Sequence, residues 1–126
     1  MRDLNHIAYV RADDFYKRGR LKAATKWFLV ALRHYSFDYQ ALWALGDTYS
    51  DLNKPQKALV FYKLAIKHAP AEQLQDLHYN LGNSFFDIKH YKKAILNYKM
   101  VSPTHKTYSM ALKNIKLSNE FLALQN

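Results

Sequence analysis

The sequence predicts an all-α fold, a stack of helix–turn–helix units with seven helices. Three observations predict it. Small and aromatic residues recur at fixed places with a period of 34 to 36 residues. Within each period the apolar positions follow the 3.6-residue spacing of a helix. Glycine and proline number only three each, too few for the many turns of a β-sandwich or barrel. The alignment rests on Ala12, Gly46 and Gly82, with Phe15, Tyr49 and Phe85 three places on. Ala24, Ala58 and Ala94 match as well, followed four places later by Phe28, Tyr62 and Tyr98, and then by Ala31, Ala65 and Val101. With 126 residues, 49% of them hydrophobic and 23% charged, the chain has the material for one packed domain.

The expected helices run over about 4–17, 21–35, 39–52, 55–68, 73–87, 91–101 and 105–124. The first carries the stripe Ala8, Arg11, Ala12 and Phe15 and ends at Gly19, where a left-handed residue is needed. The second turns Ala24, Phe28 and Ala31 inward, and the third Leu42, Leu45, Gly46 and Tyr49. Pro55 fits the first turn of the fourth helix, because its missing N–H has no partner there anyway. His68-Ala69-Pro70-Ala71 stops that helix, and two extra residues lengthen the connection to the fifth, with its stripe His78, Leu81, Gly82 and Phe85. Ser102-Pro103 closes the sixth. The small residues of the first helices are expected to face Ala24, Ala58 and Ala94, so that the helices of a unit approach closely. In the seventh helix Leu112 and Ile115 hold first-helix slots, but Lys116 and Asn119 replace the small and aromatic residues. It reads as a sealing end unit, docked through Tyr108, Ala111, Leu112, Ile115 and Leu122. Met110, Leu117, Phe121 and Leu124 form a second apolar stripe; left exposed it suits a partner helix or a second copy of the chain, giving a homodimer, whereas a bent packing would bury both stripes.

These residues resemble the tetratricopeptide repeat, a helix–turn–helix of about 34 residues. Leu42-x2-Leu45-Gly46-x2-Tyr49, then Ala58-x3-Tyr62, Ala65 and Pro70 carry the family pattern almost whole. The third copy reads His78-x2-Leu81-Gly82-x2-Phe85 and Ala94-x3-Tyr98; the first, Ala8-x2-Arg11-Ala12-x2-Phe15 and Ala24-x3-Phe28, is the weakest. The resemblance implies a right-handed superhelical solenoid over a single domain, 1–126. Its repeats fall at about 5–38, 39–72 and 75–104, with a capping helix at about 105–124.

Nineteen Lys and Arg against ten Asp and Glu give a formal charge of +9. Residues 1–51 hold eight basic and six acidic side chains, and residues 52–126 eleven and four. With no cysteine, disulfide frameworks, thiol catalysis and cysteine zinc sites are excluded. The first residues lack the apolar stretch of a secretory signal, and the longest apolar run, Trp27 to Leu32, is far short of a membrane span. A cytoplasmic protein is expected. The sequence holds no phosphate-binding glycine loop, no His-Glu-x-x-His and no Gly-x-Ser-x-Gly, so no catalytic residue, metal site or cofactor is assigned and no enzyme is expected. His34 and His68 share a slot at the ends of second helices, where the helix dipole favours them.

In tetratricopeptide stacks the first helices line a concave groove. Five of the ten acidic residues fall on the inward stripes of these helices, against one of nineteen basic residues. The resulting groove has an aromatic row, Tyr9, Trp43 and Tyr79, beside a polar row, Asp13, Asp47 and Asn83. Tyr16, Asp51, Asn80, Phe86 and Asp87 complete the candidate peptide-binding set. Aromatic shelves beside carboxylates suit a peptide bearing Lys or Arg, through ion pairing and cation–π contact. The slots that hold a chaperone's C-terminal carboxylate in one family subtype carry Tyr9, Asp13, Asp76 and Asn80 here, with Asp47 replacing the middle asparagine, and an acidic tail would be repelled. The expected function is therefore a non-catalytic scaffold or adaptor binding a basic or aromatic segment of another protein, with no small-molecule substrate. The alternatives are a small three-repeat secretion-type chaperone and a binder of nucleic acid or another anionic surface. The anionic-surface reading uses lysines of the convex face, with Trp27 and Phe61 as the aromatics beside them.

Overall fold

A computed structural model of the chain describes residues 2–125. The described residues form α1 (Arg2–Lys17), α2 (Leu21–His34), α3 (Tyr39–Asp51), α4 (Pro55–His68), α5 (Leu74–Asp87), α6 (Tyr91–Tyr98) and α7 (Tyr108–Gln125), with one 3-10 turn at Ala71–Gln73 and no strand. They gather into two compact units, Met1–Ala69 and Pro70–Asn126.

In the first unit α1 pairs with α2, α3 pairs with α4, and α3 lies against α2. The repeat slots are its core: Ala8, Ala12, Ala24, Phe28, Ala31, Ala58, Tyr62 and Ala65 are all buried, joined by Ala41 and Leu45. Asn5 is buried too; its Nδ2 donates to the Ala31 carbonyl at 2.9 Å and to Asp38 Oδ2 at 3.2 Å. Asp38 in turn caps α3, its Oδ1 accepting from the Gln40 and Ala41 amides. In the second unit α5 pairs with α6 and α7 packs on α6. Leu77, Phe85, Tyr91, Ala94, Tyr98, Val101, Ala111 and Ser118 are buried there.

Every first helix ends in the same way. Gly19, Asn53 and Lys89 adopt left-handed φ values of 76°, 59° and 65°. The Gly19, Asn53 and Lys89 amides bond back three residues, to Tyr16, Ser50 and Phe86, at 2.9 to 3.0 Å. The next amide bonds back five, to Phe15, Tyr49 and Phe85, at 2.9 Å. This is a Schellman motif in each repeat, and Lys89 holds it without glycine's freedom.

In the second and third repeats the small first-helix slot lies against an aromatic ring. A Cβ on Gly46 would stand 2.5 Å from two ring carbons of Tyr62, and one on Gly82 2.8 Å from those of Tyr98. The glycines therefore make room for Tyr62 and Tyr98, the aromatics four places after Ala58 and Ala94. α6 stops at Tyr98, short of the expected 101. Pro103 disfavours a helical Ser102, whose amide bonds instead to Gln75 Oε1 at 2.7 Å. α7 begins only at Tyr108, because the His105 ring takes the Thr107 amide at 3.2 Å.

The docking stripe of α7 also differs. Leu112, expected to seal, is 47% exposed. Phe121, expected on the outer stripe, stacks on Tyr91 at 5.3 Å and meets Phe86 edge-on at 5.9 Å. Small residues, Ala111 and Ser118, make the closest approach, and the Ser118 hydroxyl is satisfied by the Asn114 carbonyl at 2.7 Å. Met110, Leu117 and Leu124 are exposed as expected.

Candidate functional site

The first unit collects six of the candidate residues on its two first helices. On α1, Tyr9 is half-buried with its ring edge-on to Phe28 at 5.5 Å. One turn later Asp13 pairs with Lys17 at 2.9 Å, an exposed contact of little energetic weight. The Tyr16 hydroxyl donates to Asp51 at the end of α3, tying the two helices together. Trp43 is half-buried on α3, one turn before Asp47.

Asp47 is the most constrained. It is half-buried, and its Oδ1 accepts the Tyr62 hydroxyl at 2.6 Å. Burial pushes its carboxyl up to about 6; the Tyr62 hydrogen bond opposes the shift and the Asp51 charge adds to it. The neighbouring phenols register the same crowd of negative charge. Tyr9 is raised by burial and then by Asp13, Asp38 and Asp47. Tyr16 is raised by burial, by its hydrogen bond to Asp51 and by the charges of Asp51 and Asp47. Tyr62 is raised by burial and by Asp47. Four carboxylates thus act on one patch of tyrosines.

The second unit holds the other five. Tyr79 packs on Tyr98, ring centroids 5.8 Å apart. The Tyr98 hydroxyl donates to Asn83 Oδ1 at 2.6 Å, and Asn114 of α7 donates to the same oxygen at 3.3 Å. Phe86 meets Tyr91 edge-on at 5.4 Å as well as Phe121. Asn80 is half-buried, and Asp87 is exposed at the end of α5. Asp76 is engaged by His105 Nε2 at 3.4 Å and more distantly by Lys106. Among the described residues no three His, Asp or Glu side chains gather as a metal site would require. Trp27 and Phe61 are both engaged: the Arg11 guanidinium lies 4.7 Å from the centre of the Trp27 ring, and Phe61 stacks on Tyr49 at 5.5 Å.

Three contributors escaped the sequence reading. Asp38 was visible only as a residue preceding a helix, yet its charge reaches Tyr9. The hydroxyls of Tyr62 and Tyr98 were read as core bulk. Their signal lay in the repeat itself, because the slot holding Phe28 opposite Asp13 holds tyrosine opposite Asp47 and Asn83.

The model of the tetratricopeptide repeat family matches residues 39–72, the α3–α4 hairpin. The first TPR domain of Spaghetti (RPAP3), solved bound to an HSP90 peptide, superposes with a TM-score of 0.84, covering 98% of this chain and 96% of that one at 13% identity. MamA protein gives 0.88 over 97% of this chain and 66% of that one, at 20% identity. The TPR2B domain of yeast Sti1, solved as a pHsp70 complex, gives 0.81 over 92% and 96%, at 9% identity. The fold is that of a tetratricopeptide repeat protein. No curated protein matches the chain. In the tetratricopeptide frame α1–α2, α3–α4 and α5–α6 are three repeats and α7 is the capping helix. Tetratricopeptide repeats are a protein-interaction fold rather than a catalytic one. Among the described residues, no helix is long and apolar enough to cross a membrane.

Proposed function

We propose that the chain is a non-catalytic cytoplasmic scaffold that binds a basic, aromatic-bearing segment of a partner protein on its first-helix faces, centred on Trp43 and Asp47. One observation carries this reading: Asp13, Asp38, Asp47 and Asp51 act on the Tyr9, Tyr16 and Tyr62 patch in a chain whose formal charge is +9. A carboxylate held part-buried against its own hydration is poorly placed for stability and well placed to receive a cation. In the first unit Tyr9 and Trp43 anchor the segment, and Asp13, Asp47 and Asp51 select its charge. The second unit offers a set of its own, with Tyr79 and Phe86 as aromatics, Asp87 as the acid, and Asn80 and the Asn83 amide nitrogen to bond a backbone, the Asn83 oxygen being already taken. The peptide complexes of Spaghetti and yeast Sti1 support peptide capture as the use of this fold.

The test is calorimetric titration with a synthetic Lys/Tyr-rich peptide and its Glu-substituted counterpart. The basic peptide binds, and Trp43→Ala and Asp47→Asn each weaken it roughly tenfold or more. Equal binding by both variants, or preference for the acidic peptide, overturns the reading. A second reading, an anionic ligand on the lysines of the second helices, is favoured by the eleven basic against four acidic residues in 52–126. Binding of a heparin fragment, unaffected by Trp43→Ala and abolished by salt, would establish that one instead.

A further inference from the structure

α1 carries a row of exposed apolar side chains at helical spacing: Leu4 is 48% exposed, Ile7 56% and Val10 51%. The repeat register says what covers this face elsewhere in the molecule. Ile7 and Asp14 correspond to Ala41 and Thr48 of α3, and to Ala111 and Ser118 of α7. All four counterparts are at most 1% exposed, with α2 lying against α3 and α6 against α7. Thr48 and Ser118 even share a habit, each turning its hydroxyl to the carbonyl four residues back at 2.7 Å. In both cases the covering element is an amphipathic helix. On α1 the same face borders an open depression of about 530 Å³ lined by His6, Ile7, Val10, Arg11 and Asp14.

The side chains that depart from the covered pattern give the occupant's charge. Arg11 stands in the slot of Leu45, which is fully buried against Phe28. The Arg11 guanidinium spreads over Trp27 at the edge of the seat. Asp14 is matched by Arg18 at 3.3 Å, leaving the face with a basic balance. A helix bringing carboxylates opposite Arg11 is favoured there, and one bringing lysines is opposed. This argues against a second copy of the chain, whose second helices carry Lys57, Lys63, Lys67, Lys92 and Lys93 and whose formal charge is +9.

We propose that the Leu4–Ile7–Val10 face of α1 is a docking seat for an acidic amphipathic helix of a partner protein. The helix lies on α1 as α2 lies on α3, its apolar stripe covering the three side chains and its carboxylates meeting Arg11. The seat is separate from the peptide-binding reading given above and does not depend on it.

Two synthetic helices of about 18 residues, long enough to hold helical structure, provide the probe. Both carry Leu and Ala on one stripe; one has Glu and the other Lys on the flanks. Amide shifts and fluorescence anisotropy are followed on the full chain. The Glu helix binds with shifts confined to α1 and its neighbour α2. Ile7→Glu and Arg11→Ala each weaken it about tenfold, circular dichroism shows both variants folded, and Trp43→Ala leaves binding unchanged. The Lys helix does not bind. Equal binding of the two helices, shifts outside α1 and α2, or no binding at millimolar peptide overturns the proposal. So does sedimentation as a dimer that Ile7→Glu dissociates, which would make a second copy the occupant.

Discussion

Replacing Asp47 by Asn separates the cost of the carboxylate from the value of its geometry. The Tyr62 hydroxyl needs an acceptor, and an amide oxygen serves, because Asn83 accepts the Tyr98 hydroxyl at the same 2.6 Å in the next repeat. What changes is the charge. Burial raises the Asp47 carboxyl from 3.8 to about 6, so the folded state holds its proton more tightly than the unfolded chain does. Well below pH 3.8 both states are protonated and the residue adds no pH dependence. Between pH 4 and 6 the folded state binds more protons, so stability falls as pH rises, and above the folded value the full cost is present. About two units at 1.36 kcal/mol each gives a cost of about 2–3 kcal/mol at neutral pH.

Asp47→Asn is therefore expected to raise stability at pH 7.5 by about 2–3 kcal/mol, or roughly 10 °C in Tm for a chain of this size. At pH 4 the difference is expected to have shrunk to well below about 1 kcal/mol. Urea unfolding followed by circular dichroism, at half-unit steps from pH 4 to 8, checks both ends. Parallel pH profiles for the two proteins would refute the reasoning, because the difference would then come from packing rather than from a buried charge. A variant less stable than wild type at every pH would show that the amide fails as an acceptor.

Three further substitutions test the packing. Lys89→Gly relieves a left-handed side chain in an otherwise intact Schellman motif, and a gain of about 1 kcal/mol is expected in the same urea assay. Gly46→Ala drives a methyl group into the buried Tyr62 ring, and a loss of about 1–3 kcal/mol is expected together with a changed tyrosine near-ultraviolet signal. Asn5→Ala removes the buried amide that bridges the Ala31 carbonyl and Asp38. Thermal melts should show a loss of about 1–3 kcal/mol.

Which parts of this molecule are legible from sequence follows from what periodicity can encode. A 3.6-residue pattern states which face of a helix turns inward, and Ala12, Phe28, Ala58, Tyr62, Ala94 and Tyr98 all lie where that pattern puts them. The same pattern says nothing about how closely two helices approach or what a polar tip touches. Gly46 and Ala58 are both small and inward, and only the three-dimensional arrangement puts the Tyr62 ring over the glycine. The docking of α7 failed for a related reason. Its two apolar stripes are of similar weight, so hydrophobicity does not rank them, and close approach selects the small Ala111 and Ser118 over the larger Leu112. Asn5 and Asp38 are legible only as polar residues at helix ends, because their bond joins positions 33 residues apart.

The three copies of one slot also show how the repeat divides structural from binding work. Opposite Asp13 stands Phe28, which asks nothing of the carboxylate, and Asp13 turns to Lys17 at the surface. Opposite Asn83 stands Tyr98, and Asn114 of the capping helix completes that network without a net charge. Only Asp47 combines the buried hydroxyl partner with a full negative charge, raised by burial and by the nearby Asp51. An amide at this slot would meet the structural demand, as the neighbouring repeat demonstrates. The charge is therefore the part of Asp47 that folding does not need, and a cation arriving beside it reverses the sign of its contribution. Bound to such a ligand, the carboxyl falls below about 6 and releases its proton. Affinity for a lysine-bearing peptide should accordingly rise between pH 5 and 7 in wild type and stay flat in Asp47→Asn, as titrations at each pH would show.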